Sequence, residues 1–306
     1  MSHIFKLTGL GIGYLTIVVC GHVLQILSLT LYWNYSLFYS VNSAIVGFLW
    51  KMAQKIFEQI NGAKVTFSSN VKTIKMDNAN GFIISNHLSY SDWYLLHAFA
   101  VRVNILGYLR YFAKDALKYI PFFGWGMWIM GMIFVNRNTG DIESLKIRFD
   151  QFAKCKDPVY IVSFLEGTRN IPKKLQESQE YCKKNNLPVL KHLLFPRYKG
   201  FVSTVQTLRL KGLTKIYDMT IGYYHIPTQT VNKVIPLIHT LNAREPKEWR
   251  FHVDLKEYLV KDLPTTDADL KQWVIDRFVE KDKLIEQWSK KFPSIEDNDV
   301  VAIPYF

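Results

Sequence analysis

Between Lys6 and Lys51 the chain carries no Asp, Glu, Lys or Arg, and this 44-residue uncharged run is rich in Leu, Ile, Val, Tyr and Phe. As one helix it would reach roughly 66 Å, about twice the ~30 Å hydrocarbon thickness of a bilayer. One straight helix therefore does not account for it. The run divides into an apolar helix over about 7–33 and a second over about 37–60, which turns amphipathic where Lys51, Lys55 and Glu58 enter. Trp33, Asn34 and Tyr35 between them suit a turn at headgroup level. A secretory signal peptide is the competing reading, but the run is longer than the apolar core of one and ends without a small-residue cleavage site. The expectation is a retained membrane anchor, a helical hairpin that either spans the bilayer or enters one leaflet. His3 and Lys6 on one side balance Lys51 and Lys55 on the other, so loop charge does not orient it. His22 and Gln25 read as polar residues facing the partner helix.

After residue 60 short apolar runs alternate with helical periodicity. Strands are expected over 63–67, 81–85, 109–113, 132–135, 159–164, 216–223 and 251–255. Helices are expected over 92–101, 141–154, 178–185 and 201–210, with a final amphipathic helix over 267–291 opened by Thr266 and Asp267. The fold class that follows is α/β: a mixed central sheet flanked by helices, with the N-terminal membrane hairpin and the C-terminal amphipathic helix attached.

The 306 residues include 38 basic and 26 acidic side chains, a formal charge of +12, and 49% are hydrophobic. That apolar content excludes global disorder, and the positive balance points to an anionic partner: nucleic acid, a phospholipid surface or a phosphorylated substrate. The charge is concentrated. From Glu166 to Tyr217 eleven basic residues face three acidic ones, which supplies +8 of the +12. No recognisable nucleic-acid module accompanies them, so headgroups and substrate phosphates are the expected partners and nucleic acid is not. Cys20, Cys155 and Cys182 cannot form a closed disulfide framework, and a reducing, cytosol-facing catalytic portion is the easier reading. The eight histidines show no metal-ligand spacing, so no metal and no resident cofactor are expected.

Three segments carry candidate chemistry. In Ser85-Asn86-His87-Leu88-Ser89-Tyr90-Ser91-Asp92, a loop histidine stands five residues before an acid, after a strand and before a helix. A histidine whose second nitrogen is held by a carboxylate is a general base of fixed tautomer. The alternative is that Asp92 only caps the helix and His87 only fills a turn. In Phe164-Leu165-Glu166-Gly167-Thr168-Arg169, the glycine permits an unusual turn and the arginine offers a two-pronged phosphate donor. Arg137 closes a third strand in the same way, after Phe134-Val135-Asn136. The apolar stretch 121–135, with Phe122, Phe123, Trp125 and Trp128, is too short to span a bilayer; it reads either as core or as an acyl-tunnel wall or interfacial patch.

Asn86-His87 with Asp92, then Phe134-Val135-Asn136-Arg137, then Phe164 to Arg169, then Leu194-Phe195-Pro196-Arg197-Tyr198-Lys199-Gly200-Phe201 resembles the four ordered blocks of the glycerolipid acyltransferase family. Tyr111-Phe112-Ala113-Lys114-Asp115, Ile120-Pro121-Phe122-Phe123-Gly124-Trp125 and Ile216 to Tyr223 are similar to its eukaryotic branch, which holds lysophosphatidic acid, lysophosphatidylinositol and lysocardiolipin acyltransferases. The resemblance implies acyl transfer from acyl-CoA, as co-substrate, to the free hydroxyl of a lysophospholipid such as lysophosphatidic acid or lysophosphatidylinositol. It implies that His87 is the base and Asp92 its orienting partner, with no acyl-enzyme. Asn86, Arg137, Glu166, Gly167, Thr168, Arg169, Pro196 and Arg197 would bind substrate, with Glu166 positioning Arg169 or a substrate hydroxyl. Many relatives carry Pro where this chain has Leu165, which moves the expectation toward phospholipid remodelling. The expected layout is an anchor over 1–60, a catalytic domain over 61–240 and a C-terminal strand and helix module over 241–306. A membrane protein of the endoplasmic reticulum, with no protein partner, is the corresponding expectation. The rivals are a CoA-independent transacylase and an inactive lipid-binding protein.

Overall fold

The computed structural model describes residues 2–68, 71, 74, 79–135, 142–236, 240 and 245–291, with the side chains of 2–12, 142–144, 245 and 291 left aside. The N-terminal run forms helix α1, Ser2–Ser28, a 3-10 turn at Leu29–Leu31, and helix α2, Tyr35–Lys55, which ends in a π turn at Ile56–Ile60. Asn34 separates the helices as the N-cap of α2, its side chain accepting the Leu37 N–H at 3.2 Å.

The two helices differ in what they cover. Gly13–Leu31 is the one segment among the described residues long and apolar enough to cross a membrane, and its Leu15, Val19, Val23, Leu24 and Leu27 are exposed. α2 instead buries Phe38, Tyr39, Val46 and Ala53, continuing into Phe57. Tyr39 donates its hydroxyl to the Pro158 carbonyl at 2.9 Å, and fully buried Arg110 donates to Ser43 Oγ at 2.7 Å while lying over the Tyr39 ring. Backbones approach so closely here that a Cβ on Gly107 would lie 2.2 Å from the Ser43 carbonyl oxygen. The second half of the uncharged run is therefore apolar because it packs on protein.

The strands are β1 (Lys64–Phe67), β2 (Asn80–Ser85), β3 (Leu109–Lys114), β4 (Ile133–Val135), β5 (Tyr160–Phe164), β6 (Leu213–His225), β7 (Thr230–Val231) and β8 (Trp249–Leu259). They form one sheet in the order β1-β8-β6-β2-β5-β3-β4, with β7 on β6. β6 and β8 run antiparallel, β7 hairpins back on β6, and the other pairs are parallel. Between and after the strands stand α3 (Asp92–Arg102), α4 (Phe123–Ile129), α5 (Ile142–Phe152), α6 (Pro172–Lys184), α7 (Tyr198–Arg209) and α8 (Asp267–Lys291).

Strand alternation sorts the core into two layers. Ile83, Val162, Met219 and Ile221 pack with Leu95, Leu96 and Phe99 of α3, while Phe82, Ile84 and Ile161 pack with Phe149 of α5, Phe201 of α7 and Phe278 of α8. Lys281 fixes α8 to the sheet: its buried ammonium pairs with Asp218 at 2.6 Å and donates to the Met219 carbonyl. Burial pushes the Asp218 carboxyl up, and Lys281 opposes that shift.

Every expected strand is present, and the differences have local causes. α6 starts at Pro172 rather than 178, because proline's fixed φ and missing N–H suit the first helical position. β8 runs to Leu259, where its side chains are largely exposed and only pairing with β6 keeps it extended. Helix α4 forms inside the apolar stretch 121–135 and β7 beyond the last residue expected in β6. Position 141 and residues 292–306 lie outside the described residues.

Gly107→Ala is expected to cost about 1–3 kcal/mol, because the added methyl must displace the α2 backbone. Gly200→Ala, with open space around its Cβ site in α7, should instead be neutral or stabilise by up to about 1 kcal/mol. Thermal unfolding of the two variants in the same detergent distinguishes them; equal losses would refute the close packing of α2 on the domain.

Candidate active site

In parallel α/β sheets the loops at the C-terminal strand ends converge, and chemistry collects there. Central strand β2 pairs Ser85 with Phe164 of β5 on one side and with Met219 of β6 on the other. The residues that follow β2 and β5 are thus neighbours by register. Asn86, His87 and Asp92 come from the first loop, and Glu166, Gly167, Thr168 and Arg169 from the second.

His87 Nδ1 lies 2.8 Å from Asp92 Oδ2. Its ring stacks on Phe164, centroids 4.3 Å apart and planes inclined by 20°. The imidazole is 20% exposed while Asp92 is 1% exposed, and Nε2 is bonded to no described residue. Asp92 also accepts the Leu88 N–H at 2.7 Å, the Ser89 N–H at 2.9 Å and the Tyr223 hydroxyl at 2.7 Å. Burial and the adjacent carboxylate push the Tyr223 phenol far up, which keeps it a neutral donor. Asp92 thus closes the turn that precedes α3 and holds the imidazole with the same carboxylate.

Glu166 is 2% exposed and takes a different place from the expected one. Its Oε1 accepts the His87 N–H at 2.9 Å and its Oε2 the Leu194 N–H at 3.2 Å, so it braces the histidine's backbone rather than Arg169. Burial pushes its carboxyl up to about 8, and the two amide donors offset part of that rise. Asn86 is likewise committed: its side chain donates to the Ile221 carbonyl and accepts the Ile221 N–H, both at 2.9 Å, tying the end of β2 to β6. Asn170 completes the brace by donating its backbone N–H to the His87 carbonyl at 2.8 Å.

Gly167 has φ +67°, which favours glycine, and a Cβ there would meet the Arg197 side chain at 2.5 Å, so a larger residue would also push that arginine aside. Arg197 is exposed above that turn, and Pro196 beside it is buried. Arg169 stacks its guanidinium 3.6 Å from the centroid of the Tyr90 ring. Neither arginine pairs with a carboxylate among the described residues. Thr168 is half-buried on the same turn. Leu165 donates its N–H to the Ser85 carbonyl at 3.3 Å, a bond that proline at this position could not make. Arg137 lies outside the described residues.

Three contributors were not singled out from sequence. Tyr223 and Asn170 sit inside or beside motif runs, yet only the fold shows which of their atoms reach the histidine loop. The Leu194 amide carries no side-chain signal at all.

Residues 62–224 match the family described as acyltransferase, and residues 239–298 the one described as acyltransferase C-terminus. The chain is 31% identical over 264 residues to 1-acyl-sn-glycerol-3-phosphate acyltransferase 2 of Arabidopsis thaliana, covering 85% of this chain and 66% of that protein. It is 30% identical over 301 residues to 1-acyl-sn-glycerol-3-phosphate acyltransferase 2 of Brassica oleracea, covering 97% and 73%. Lysocardiolipin acyltransferase 1 of Mus musculus is 29% identical over 276 residues, covering 89% and 69%. The chain spans about two thirds to three quarters of the length of these relatives. With the His87–Asp92 pair, the glutamate brace, Arg169 and Arg197 all falling within matched residues, the chain belongs to the acyltransferase family.

Proposed function

We propose that the protein transfers a fatty acyl chain from acyl-CoA to the free hydroxyl of a lysophospholipid, with lysophosphatidic acid or lysophosphatidylinositol as acceptor. The observation that carries this reading is an imidazole held through Nδ1 by a buried carboxylate, with Nε2 uncommitted and partly exposed. Nε2 takes the proton of the acceptor hydroxyl as its oxygen attacks the thioester carbonyl. The tetrahedral adduct then breaks its carbon–sulfur bond, and the departing thiolate takes the proton from the imidazolium. Asp92 stabilises that imidazolium through Nδ1–H, so no covalent acyl-enzyme is required. Arg169 and Arg197, at the same loop cluster, are placed to meet a substrate phosphate with charge-assisted hydrogen bonds.

Membrane attachment is part of the same proposal. The exposed apolar side of α1 is joined by α4: His22 of α1 lies against Gly126, and Phe122 approaches His22 with ring centroids 6.1 Å apart. Phe122, Phe123, Trp125 and Trp128 are all more than two-fifths exposed, which is the pattern of an interfacial patch and not of core. A lipid acceptor and a long-chain donor both reside at such a surface. The three free thiols fit a cytosol-facing catalytic portion on the endoplasmic reticulum.

His87→Ala should abolish acyl transfer in a purified assay with acyl-CoA and a panel of lysophospholipids, and Asp92→Asn should lower kcat by about 10²–10⁴. Equal rates for wild type and His87→Ala would overturn the mechanism. Glu166 gives a pH signature. Its folded-state value near 8 lies above the ordinary carboxyl value of 4.5, so between them the folded state binds the extra proton. Stability contributed by this group is full below about 4.5 and is lost as pH rises toward 8. Glu166→Gln should therefore flatten the decline in melting temperature between pH 5 and 8; parallel curves would refute a neutral, buried Glu166. Brominated lipids in proteoliposomes should quench Trp125 and Trp128 emission, and Trp125→Phe/Trp128→Phe in a Trp33→Phe background should lower the quenched fraction; an unchanged fraction would refute the patch.

A further inference from the structure

Helix α8 belongs to the C-terminal module, outside the residues 62–224 that contain the proposed catalytic groups. Its apolar stripe of Leu270, Val274, Phe278, Ile285 and Trp288 accounts for its packing on the sheet. Two acids beside that stripe do something that packing does not require. Asp282 spreads its carboxylate over two consecutive backbone amides, Oδ2 accepting the Lys191 N–H at 2.9 Å and Oδ1 the His192 N–H at 2.7 Å. Glu286 Oε2 meets the His192 ring at Nε2 and the Lys191 ammonium at 2.8 Å. The segment 190–195 has no helix or strand of its own, so its path depends on such bonds: α6 holds its two ends, through Gln179 Nε2 on the Leu190 carbonyl and Ser178 Oγ on the Phe195 N–H, both at 2.9 Å, and α8 holds the amides of Lys191 and His192 between them.

That segment holds both supports of the His87 backbone, Asn170 and Glu166. The His192 carbonyl accepts from Asn170 Nδ2 at 2.7 Å, and the Asn170 N–H in turn donates to the His87 carbonyl at 2.8 Å. Two residues on, the Leu194 N–H donates to Glu166 Oε2, and Glu166 Oε1 accepts the His87 N–H. Both polar groups of one peptide residue are thus held by bonds that trace back to the same short segment, and α8 grips that segment by its amides.

We propose that Asp282 is a positioning residue for the acyl-transfer reaction: from the C-terminal helix it fixes the 190–195 segment and, through Asn170 and Glu166, the backbone of His87. The proposal rests on His87 being the base. The bond between His87 Nδ1 and Asp92 depends on where that backbone stands, and misplacement by about 1 Å can cost about a hundredfold in rate. α8 itself remains anchored without Asp282, by its apolar stripe and by the Lys281–Asp218 pair.

The test uses the full chain in detergent or proteoliposomes. Asp282→Ala is expected to lower kcat by about ten- to a hundredfold with KM for both substrates within about twofold. Asp282→Asn, which keeps one acceptor oxygen, should fall between, and Glu286→Gln should have a smaller effect. Asp276→Asn, on the exposed side of the same helix, is the control expected to match wild type. Asp282→Ala and Asn170→Ala combined should be no slower than Asp282→Ala alone, since Asn170 lies on one of the two routes that Asp282→Ala already loosens. Hydrogen exchange measured by mass spectrometry gives a reading independent of catalysis. In Asp282→Ala, peptides covering 85–92 should exchange faster while those covering 213–225 do not change. Unchanged exchange over 85–92, or an unchanged kcat, overturns the positioning role. A loss of protection over 213–225 as well would assign Asp282 a merely structural role and overturn it too. Faster exchange over 85–92 together with full activity of His87→Ala would overturn the base assignment and leave the mechanical link standing.

Discussion

Burying an ionised carboxylate without partners costs many kcal/mol, and a buried acid survives only where donors replace the water it has lost. Asp92 meets that condition with four donors: the imidazole N–H, the Leu88 and Ser89 amides and the Tyr223 hydroxyl. These donors come from its own loop and from strand β6, so satisfying the acid also closes the 87–92 turn and fixes it against the sheet. The arrangement that makes the acid tolerable inside the protein is the one that orients the imidazole. Loop, sheet and His87–Asp92 pair are one construction.

Around that pair the polar groups are arranged in layers of support. Asn86 ties the strand end to Ile221, Glu166 holds the His87 amide, and Asn170 holds the His87 carbonyl. Each uses its hydrogen-bonding capacity on backbone rather than leaving it open to a ligand. Arg169, Arg197 and Thr168 are motif residues that remain accessible beside the pair. The proposed acyl transfer would draw on both parts, the rigid inner set for a short proton movement and the accessible basic rim for a substrate phosphate.

The same separation appears at the N-terminus. α1 presents Leu15, Val19, Val23, Leu24 and Leu27 outward, whereas α2 turns its apolar residues onto the α/β domain through Tyr39, Ser43 and the close approach at Gly107. Two helices from one uncharged run therefore experience different surroundings. Composition alone treats them alike, because apolar residues occur on exposed surface as well as in the interior.

The order of strands and helices, the two periodicities, the His87–Asp92 spacing and the glycine turn at 167 were legible in the sequence, because each depends on neighbours close in the chain. The pairing of β2 between β5 and β6, which brings Glu166 beside His87 and Tyr223 beside Asp92, was not. Those contacts join residues 79 and 131 positions apart, and side-chain type does not encode which backbone amide an acid will reach. Glu166 shows the difference most plainly: the sequence identifies an acid next to a basic motif, and only the packed sheet turns it inward to brace a peptide group. Local chemistry was determined by the sequence itself, and the division of those residues into buried supports and accessible side chains was decided by tertiary structure, where burial sets which polar groups must find partners.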